Sequence, residues 1–259
     1  MTDSSVGDNT RVWSAEVLRV TAFPRADALA SSDWWKQVVG REAEMKTQAP
    51  GLEQYIGPLE GMTLLLRVVP NQQNRIDWVL SPDVKDSTGL ALPILGDFAK
   101  SLDAFATAMG KWFKLPTCPS LKRVAFGGLL AQIVESDEAA YKAVSNYLHS
   151  VRLEPGISDF MYQVNRRRES KVVPGLKLNR LSTWIVAQVA TVTEEIFVGP
   201  AGPVPARSTV SQSSHVCRLN LDINTAPEFS GEFARESVPA LFSELTVLGI
   251  EIARDGDVP

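Results

Sequence analysis

The chain has little of the equipment that most metal and nucleophile chemistry needs: two cysteines and two histidines in 259 residues. Cys118, Cys217, His149 and His215 show none of the close spacings that hold zinc, so no metal site is expected. Two widely separated cysteines do not make a disulfide framework; reduced thiols in a cytoplasmic protein are the simplest reading. No apolar run reaches the length of a membrane span. Residues 1–10 are polar, carry Asp3 and Asp8, and lack the basic start and apolar stretch of a secretory leader; they are expected to be disordered. A net charge of −4 gives no whole-chain attraction to nucleic acid or to an acidic membrane. Gly127-Gly128 is not followed by Lys-Ser or Lys-Thr, and no phosphate loop, nucleophile elbow or metalloprotease helix occurs, so no cofactor is expected.

What is present is a globular composition, 44% hydrophobic and 22% charged with six tryptophans, on a chain long enough for one large domain or two modest ones. The order of sequence patterns occurs twice. Asp77-Trp78-Val79-Leu80-Ser81-Pro82-Asp83 is echoed by Asp222-Ile223-Asn224-Thr225-Ala226-Pro227-Glu228. Both segments close an alternating strand with an acid, a proline and a second acid. The expectation is an α+β protein of two pseudo-repeated βαβββα units, with antiparallel sheets covered on one side by helices. The units span residues 11–116 and 117–254, with a tail at 255–259. The alternative is one α+β domain whose halves look alike by chance.

Periodicity predicts the elements. Val12 to Phe23 reads as a strand, and a short helix capped by Asp33 buries Trp34, Trp35 and Val38 before Gly40. Glu44 to Ile56 is ambiguous around Pro50-Gly51. Met62 to Val69 and Arg75 to Leu80 form a hairpin. Leu95, Phe98, Leu102, Phe105, Met109 and Trp112 recur at helical spacing. In the second half, Leu121 to Val134 is a strand with a bulge at Gly127-Gly128. Ser136, Asp137 and Glu138 start a helix. Phe160, Tyr162 and Val164 alternate, as do Leu176 to Val192. Cys217, Leu219, Leu221 and Ile223 form one apolar stripe, and a last helix buries Val238, Leu241, Phe242, Leu245, Leu248 and Ile252. Gly199 to Ser214, rich in proline and serine, reads as a mobile hairpin tip or a functional arm.

The basic segment is the candidate binding region. Arg152, Arg166, Arg167, Arg168, Lys171, Lys177 and Arg180 face three acids, a local surplus of four that leaves −8 on the rest. Strand alternation puts Arg166 and Arg168 on one face, where Arg180 can join them. Guanidinium forks suit phosphate oxygens or an acidic partner protein; an ordinary solvated hairpin is the alternative. Arg207 is the only charge of the Gly199–Ser214 loop. Asp77 and Asp222 offer a carboxylate pair for an enzyme, but turn capping accounts for both more simply. Cys217 belongs to an apolar stripe, so His215 beside it does not make a catalytic pair. Trp34-Trp35 and Trp112-Phe113 at helical spacing read as core.

Asn165-Arg166 near the end of one strand and Asn179-Arg180-Leu181-Ser182-x-Trp184 at the start of the next, with Leu221 to Asp257, resemble a sporadically distributed family of uncharacterised bacterial proteins of similar length. Arg167 stands where many members have proline. The resemblance carries no activity, and its patchy distribution implies a mobile or defence-related setting. Read from the residues alone, each asparagine can bond strand-end backbone and each arginine can reach a carboxylate across the hairpin. The resulting expectation is a non-enzymatic cytoplasmic interaction protein, an accessory or sensor subunit in a bacterial defence or toxin–antitoxin system. Another protein, or a second copy through exposed sheet edges, is the expected partner; nucleic acid and an enzyme built on Asp77 and Asp222 are the rivals.

Overall fold

The computed structural model describes residues 12–25, 32–70, 74–83, 92–154, 156–199 and 202–258, with backbone alone at 32, 191–199 and 202–212. The disorder expected of residues 1–10 lies outside the described residues. The first half runs β1 (Ser14–Pro24), α1 (Ser32–Val39), β2 (Met45–Ala49), β3 (Leu52–Leu59), β4 (Met62–Val69), β5 (Arg75–Ser81), β6 (Gly96–Asp97) and α2 (Phe98–Lys114). The second runs β7 (Leu121–Val134), α3 (Asp137–Ser145), β8 (Met161–Asn165), β9 (Arg168–Glu169), β10 (Lys177–Gly199), β11 (Gly202–Thr225), a 3-10 turn (Arg235–Ser237) and α4 (Val238–Asp255).

All the described strands join one antiparallel sheet in the order β2-β3-β4-β5-β1-β7-β11-β10-β8, with β6 on β1 and β9 on β10. The class is α+β, as the periodicities required. Sheets in the plural are replaced by a single one, because β1 and β7 pair directly and fuse the two halves. Alternation then decides the layers. Leu18, Val20, Trp78, Leu80, Phe126, Leu130, Leu219, Leu221 and Trp184 are buried on one face. Helices α1 to α4 supply the rest of a continuous core there.

The helices form where expected and for the expected reasons. Trp34, Trp35 and Val38 are all buried on α1. Asp33, however, lies in the first turn of α1 rather than before it. Asp97 caps α2 by accepting from the Lys100 amide at 2.9 Å, and Ser136 caps α3 through Ala139. The six apolar residues assigned to α4 are all buried. Gly249 lets α4 sit close to the sheet: a Cβ there would stand 2.8 Å from the Phe126 ring.

Four expectations need correction. Glu44 to Ile56 resolves into the β2–β3 hairpin turning at Pro50-Gly51. No bulge occurs at Gly127-Gly128, whose pairing with Arg19 and Leu18 is regular; the register shifts lie elsewhere, one on β1 between Ala15 and Val17 and one on β7 at Lys122, opposite Phe23 and Pro24. The Arg19 guanidinium lies against Gly127, 3.4 Å from where a Cβ would stand. The stretch from Gly202 to Ser214 is strand, paired with β10 nearly to its tip. Finally, residues 256–258 are not a loose tail: the Asp257 amide donates to the Tyr147 carbonyl at 3.0 Å, and the Asp257 side chain is 1% exposed.

Candidate functional site

The hairpin carrying the two Asn-Arg pairs sits at the β8 edge of the sheet, under the C-terminal half of α4. Alternation sends the asparagines to the open face and the arginines toward the helix. On the open face the amides form a directional chain. Asn165 Nδ2 donates to Asn179 at 3.1 Å, Asn179 Nδ2 to Asn224 at 2.9 Å, and Asn224 Nδ2 to Asp222 at 3.0 Å. The Asn165 side-chain oxygen accepts the Arg180 amide at 3.0 Å. Asp222 is thus the final acceptor of a ladder across β8, β10 and β11. Its expected turn-capping role gives way to this one.

On the helix face Arg166, Arg168 and Arg180 do come together, as the alternation required. Two of them, each still about a third exposed, bond carboxylates of the same chain. Arg166 places its fork on Asp257, with Nε at 2.6 Å and Nη2 at 2.8 Å, and Tyr162 donates to the same carboxylate at 3.0 Å. The Arg166 hydrogen bonds, then the Tyr162 hydrogen bond and nearby positive charge, hold the Asp257 carboxyl below the usual range despite its burial. Arg168 holds Glu251 in a second fork at 2.8 and 2.9 Å. Arg180 is 1% exposed and lies 3.6 Å from Glu251, and its three guanidinium nitrogens have no hydrogen-bond partner among the described residues. Burial, the leading cause, with the neighbouring Arg168 charge, pulls its pKa below the ordinary arginine value. A crevice too narrow to hold even a water molecule is lined by Arg166, Arg180, Ser182, Ile252, Asp257 and the 256–258 backbone.

The other basic residues are spread out. Arg167 points to the open face, bonding Asn179 at 2.8 Å and Glu228 at 2.5 Å. Lys171 is exposed, and its backbone amide donates to Glu244 at 2.6 Å beside the Ser170 hydroxyl. Lys177 borders an open groove of ≈480 Å³ with Glu228, Phe229 and Ser230. Arg152 is exposed and lies 3.7 Å from Glu154. Arg207 belongs to β11, but its side chain lies outside the described residues. Much of the positive charge read from the sequence is therefore answered within the fold, by Glu228, Glu251 and Asp257.

Asp77 and Asp222 are not brought together. Asp77 is buried beside β1, accepting from Thr21 at 2.7 Å and from Arg75 at 2.8 Å. Strands β1 and β7 lie between it and β11, so roughly 14 Å of sheet separates the two acids. Burial pushes both Cys118 and Cys217 up to about 12, and His215 turns to Asp137 at 2.7 Å. The tryptophans build the core: Trp35 stacks on Trp78, and Trp112 contacts Trp34, Trp78 and Phe113. Among the described residues no group of three His, Cys, Asp or Glu is arranged to hold a metal. No described helix is long and apolar enough to cross a membrane.

The carboxylates of this site escaped the sequence reading. Glu244 and Glu251 are seven apart, so a helix puts them on one side two turns apart, opposite a basic hairpin; that complementarity was the available signal. Asp257 gave none, because nothing local returns residues 256–258 to the sheet. Buried Glu16, in a two-pronged bond with Arg218 at 2.7 Å, was also missed, since they are 202 residues apart.

No protein-family model, curated protein or solved structure matches the chain.

Proposed function

We propose that the protein is a non-enzymatic binding platform that engages another protein through the projecting end of its β10–β11 ribbon. One observation carries this. Pairing with β8 ends at Ile185, and pairing with β7 ends at His215. Yet β10 and β11 stay paired with each other out to Gly199 and Gly202. About 35 Å of two-stranded ribbon therefore extends past its neighbours, at about 3.3 Å per residue. Among the described residues neither edge of that stretch has a strand partner. An isolated two-stranded ribbon is marginally stable in water, and open edges template pairing with another chain. A partner strand would satisfy both.

The reading moves the contact from the basic hairpin, whose arginines are engaged internally, to the arm that follows it. Strand order supports a further proposal, that the two halves are pseudo-repeats: β5 and β11 flank the β1–β7 seam, and β4 and β10 follow them. An accessory or sensor subunit of a bacterial defence or toxin–antitoxin system remains the proposed setting, in the cytoplasm.

The test replaces residues 190–213 with a two-residue turn and compares proteins co-purifying from the source cell with those of the intact chain. Loss of a stoichiometric partner, with a melting temperature unchanged within a few degrees, is the expected result. A partner retained by the shortened chain would overturn the assignment, as would an intact chain that elutes alone.

A further inference from the structure

Among the described residues, the cluster under the end of α4 holds three guanidiniums and two carboxylates. Glu251 answers Arg168 and Asp257 answers Arg166, leaving Arg180 in excess. The C-terminal end of α4 adds roughly half a negative charge through its dipole, and Tyr162 adds only a hydroxyl, so a positive excess remains. A cation that is 1% exposed with no hydrogen-bonded acceptor among the described residues is costly to bury. Its guanidinium lines the small space whose other walls include Arg166, Ser182 and residues 256–258.

One wall of that space hangs on a single residue. Gly256 has φ 82°, a conformation that favours glycine, and a Cβ there would run into the Tyr147 carbonyl. This backbone delivers Asp257 to Arg166 and Tyr162.

We propose that the Arg166–Arg180 cluster is a binding site for an oxyanion of the phosphate class, and that Asp257 is an internal occupant that such a ligand displaces. Charge selects the class. With Asp257 in place the described residues of the cluster keep one positive charge uncompensated, and a carboxylate ligand would leave the same excess. A phosphate dianion in its place balances Arg166 and Arg180 while Glu251 stays on Arg168. The fork of Arg166 and the Tyr162 hydroxyl already converge on two oxygens, and Arg180 supplies the donors that Asp257 leaves unused. The space is too small to admit the ligand with Asp257 seated, so residues 256–258 must swing out.

Calorimetric titration of the full chain with inorganic phosphate, at fixed ionic strength, tests this. Asp257→Asn removes the competing charge, and Gly256→Ala dislodges the segment without touching an arginine. Each is expected to bind phosphate at least about tenfold more tightly than the unaltered chain. Adding Arg180→Met to Asp257→Asn should abolish binding, with circular dichroism reporting a retained fold. Acetate should not bind either opened variant. Glycerol phosphate distinguishes the sources: tighter binding of the ester assigns an esterified ligand, and tighter binding of the free ion assigns inorganic phosphate. Absence of phosphate binding in both opened variants overturns the proposal, as does binding that survives Arg180→Met or acetate binding as tight as phosphate.

Discussion

Removing the buried Arg180 is expected to stabilise the fold. The usual cost of deleting a buried charge is the partner left behind. Here no partner is orphaned: Glu251 keeps its fork with Arg168, and Asp257 keeps its fork with Arg166. At 3.6 Å and an effective dielectric of 20 the Arg180–Glu251 attraction is about 4–5 kcal/mol. Asp257 adds a further attraction, and repulsion from Arg168 and Arg166 opposes both. What remains is the lost hydration of a cation without hydrogen bonds, several kcal/mol. Arg180→Met keeps most of the volume and discards that cost, so a gain of about 2 kcal/mol is expected. For a chain of this size that raises the melting temperature by roughly 4–8 °C, measurable by calorimetry or circular dichroism. Arg168→Met is the control, since it strips Glu251 of its fork and should destabilise. A melting temperature lowered by several degrees in Arg180→Met would refute the reasoning and show that Arg180 holds contacts together.

Other outcomes follow from the same geometry. Asp257 is held below its ordinary pKa in the folded state, so its contribution is present above the unfolded carboxyl pKa of about 3.9 and is lost as pH falls through the folded value. Asp257→Asn should therefore be less stable than the unaltered chain at neutral pH in urea melts, with the gap closing below about pH 4; a gap constant with pH would contradict the ion pair. Both thiols are buried, with pKa values pushed up to about 12, so iodoacetamide at about pH 8 should leave the native protein unmodified and label both cysteines in denaturant. Rapid labelling of the native chain would contradict the burial. Gly249→Ala gains about 1 kcal/mol of helix propensity but forces a methyl against Phe126, costing about 1–3 kcal/mol, so a lower urea midpoint is expected. A raised midpoint would mean that α4 can lift freely off the sheet.

Legibility in the sequence followed the range of the forces involved. The helical spacing of Phe98, Leu102, Phe105, Met109 and Trp112 is local, and it predicted α2 and its buried face. The same holds for the stripe of Cys217, Leu219, Leu221 and Ile223 on β11. The Asn-Arg hairpin was half legible. Alternation placed Arg166, Arg168 and Arg180 on one face, but the carboxylates that fork with Arg166 and Arg168 lie 91 and 83 residues away, one in the 256–258 turn and the other on α4. The Gly199–Ser214 stretch misled because prolines and serines signal a loop locally, whereas the backbone pairing of β10 with β11 carries strand through it.

Side-chain periodicity alone determined the α+β class, the amphipathic helices and which face of each strand is buried, because these depend on residues a few positions apart. Only the tertiary structure decided that one sheet spans both halves, that the arginines face carboxylates of α4 and the 256–258 turn, and that one guanidinium is left over. Backbone pairing and charge compensation act across space, and neither the register of β1 on β7 nor the return of Asp257 to Arg166 leaves a local trace in the chain.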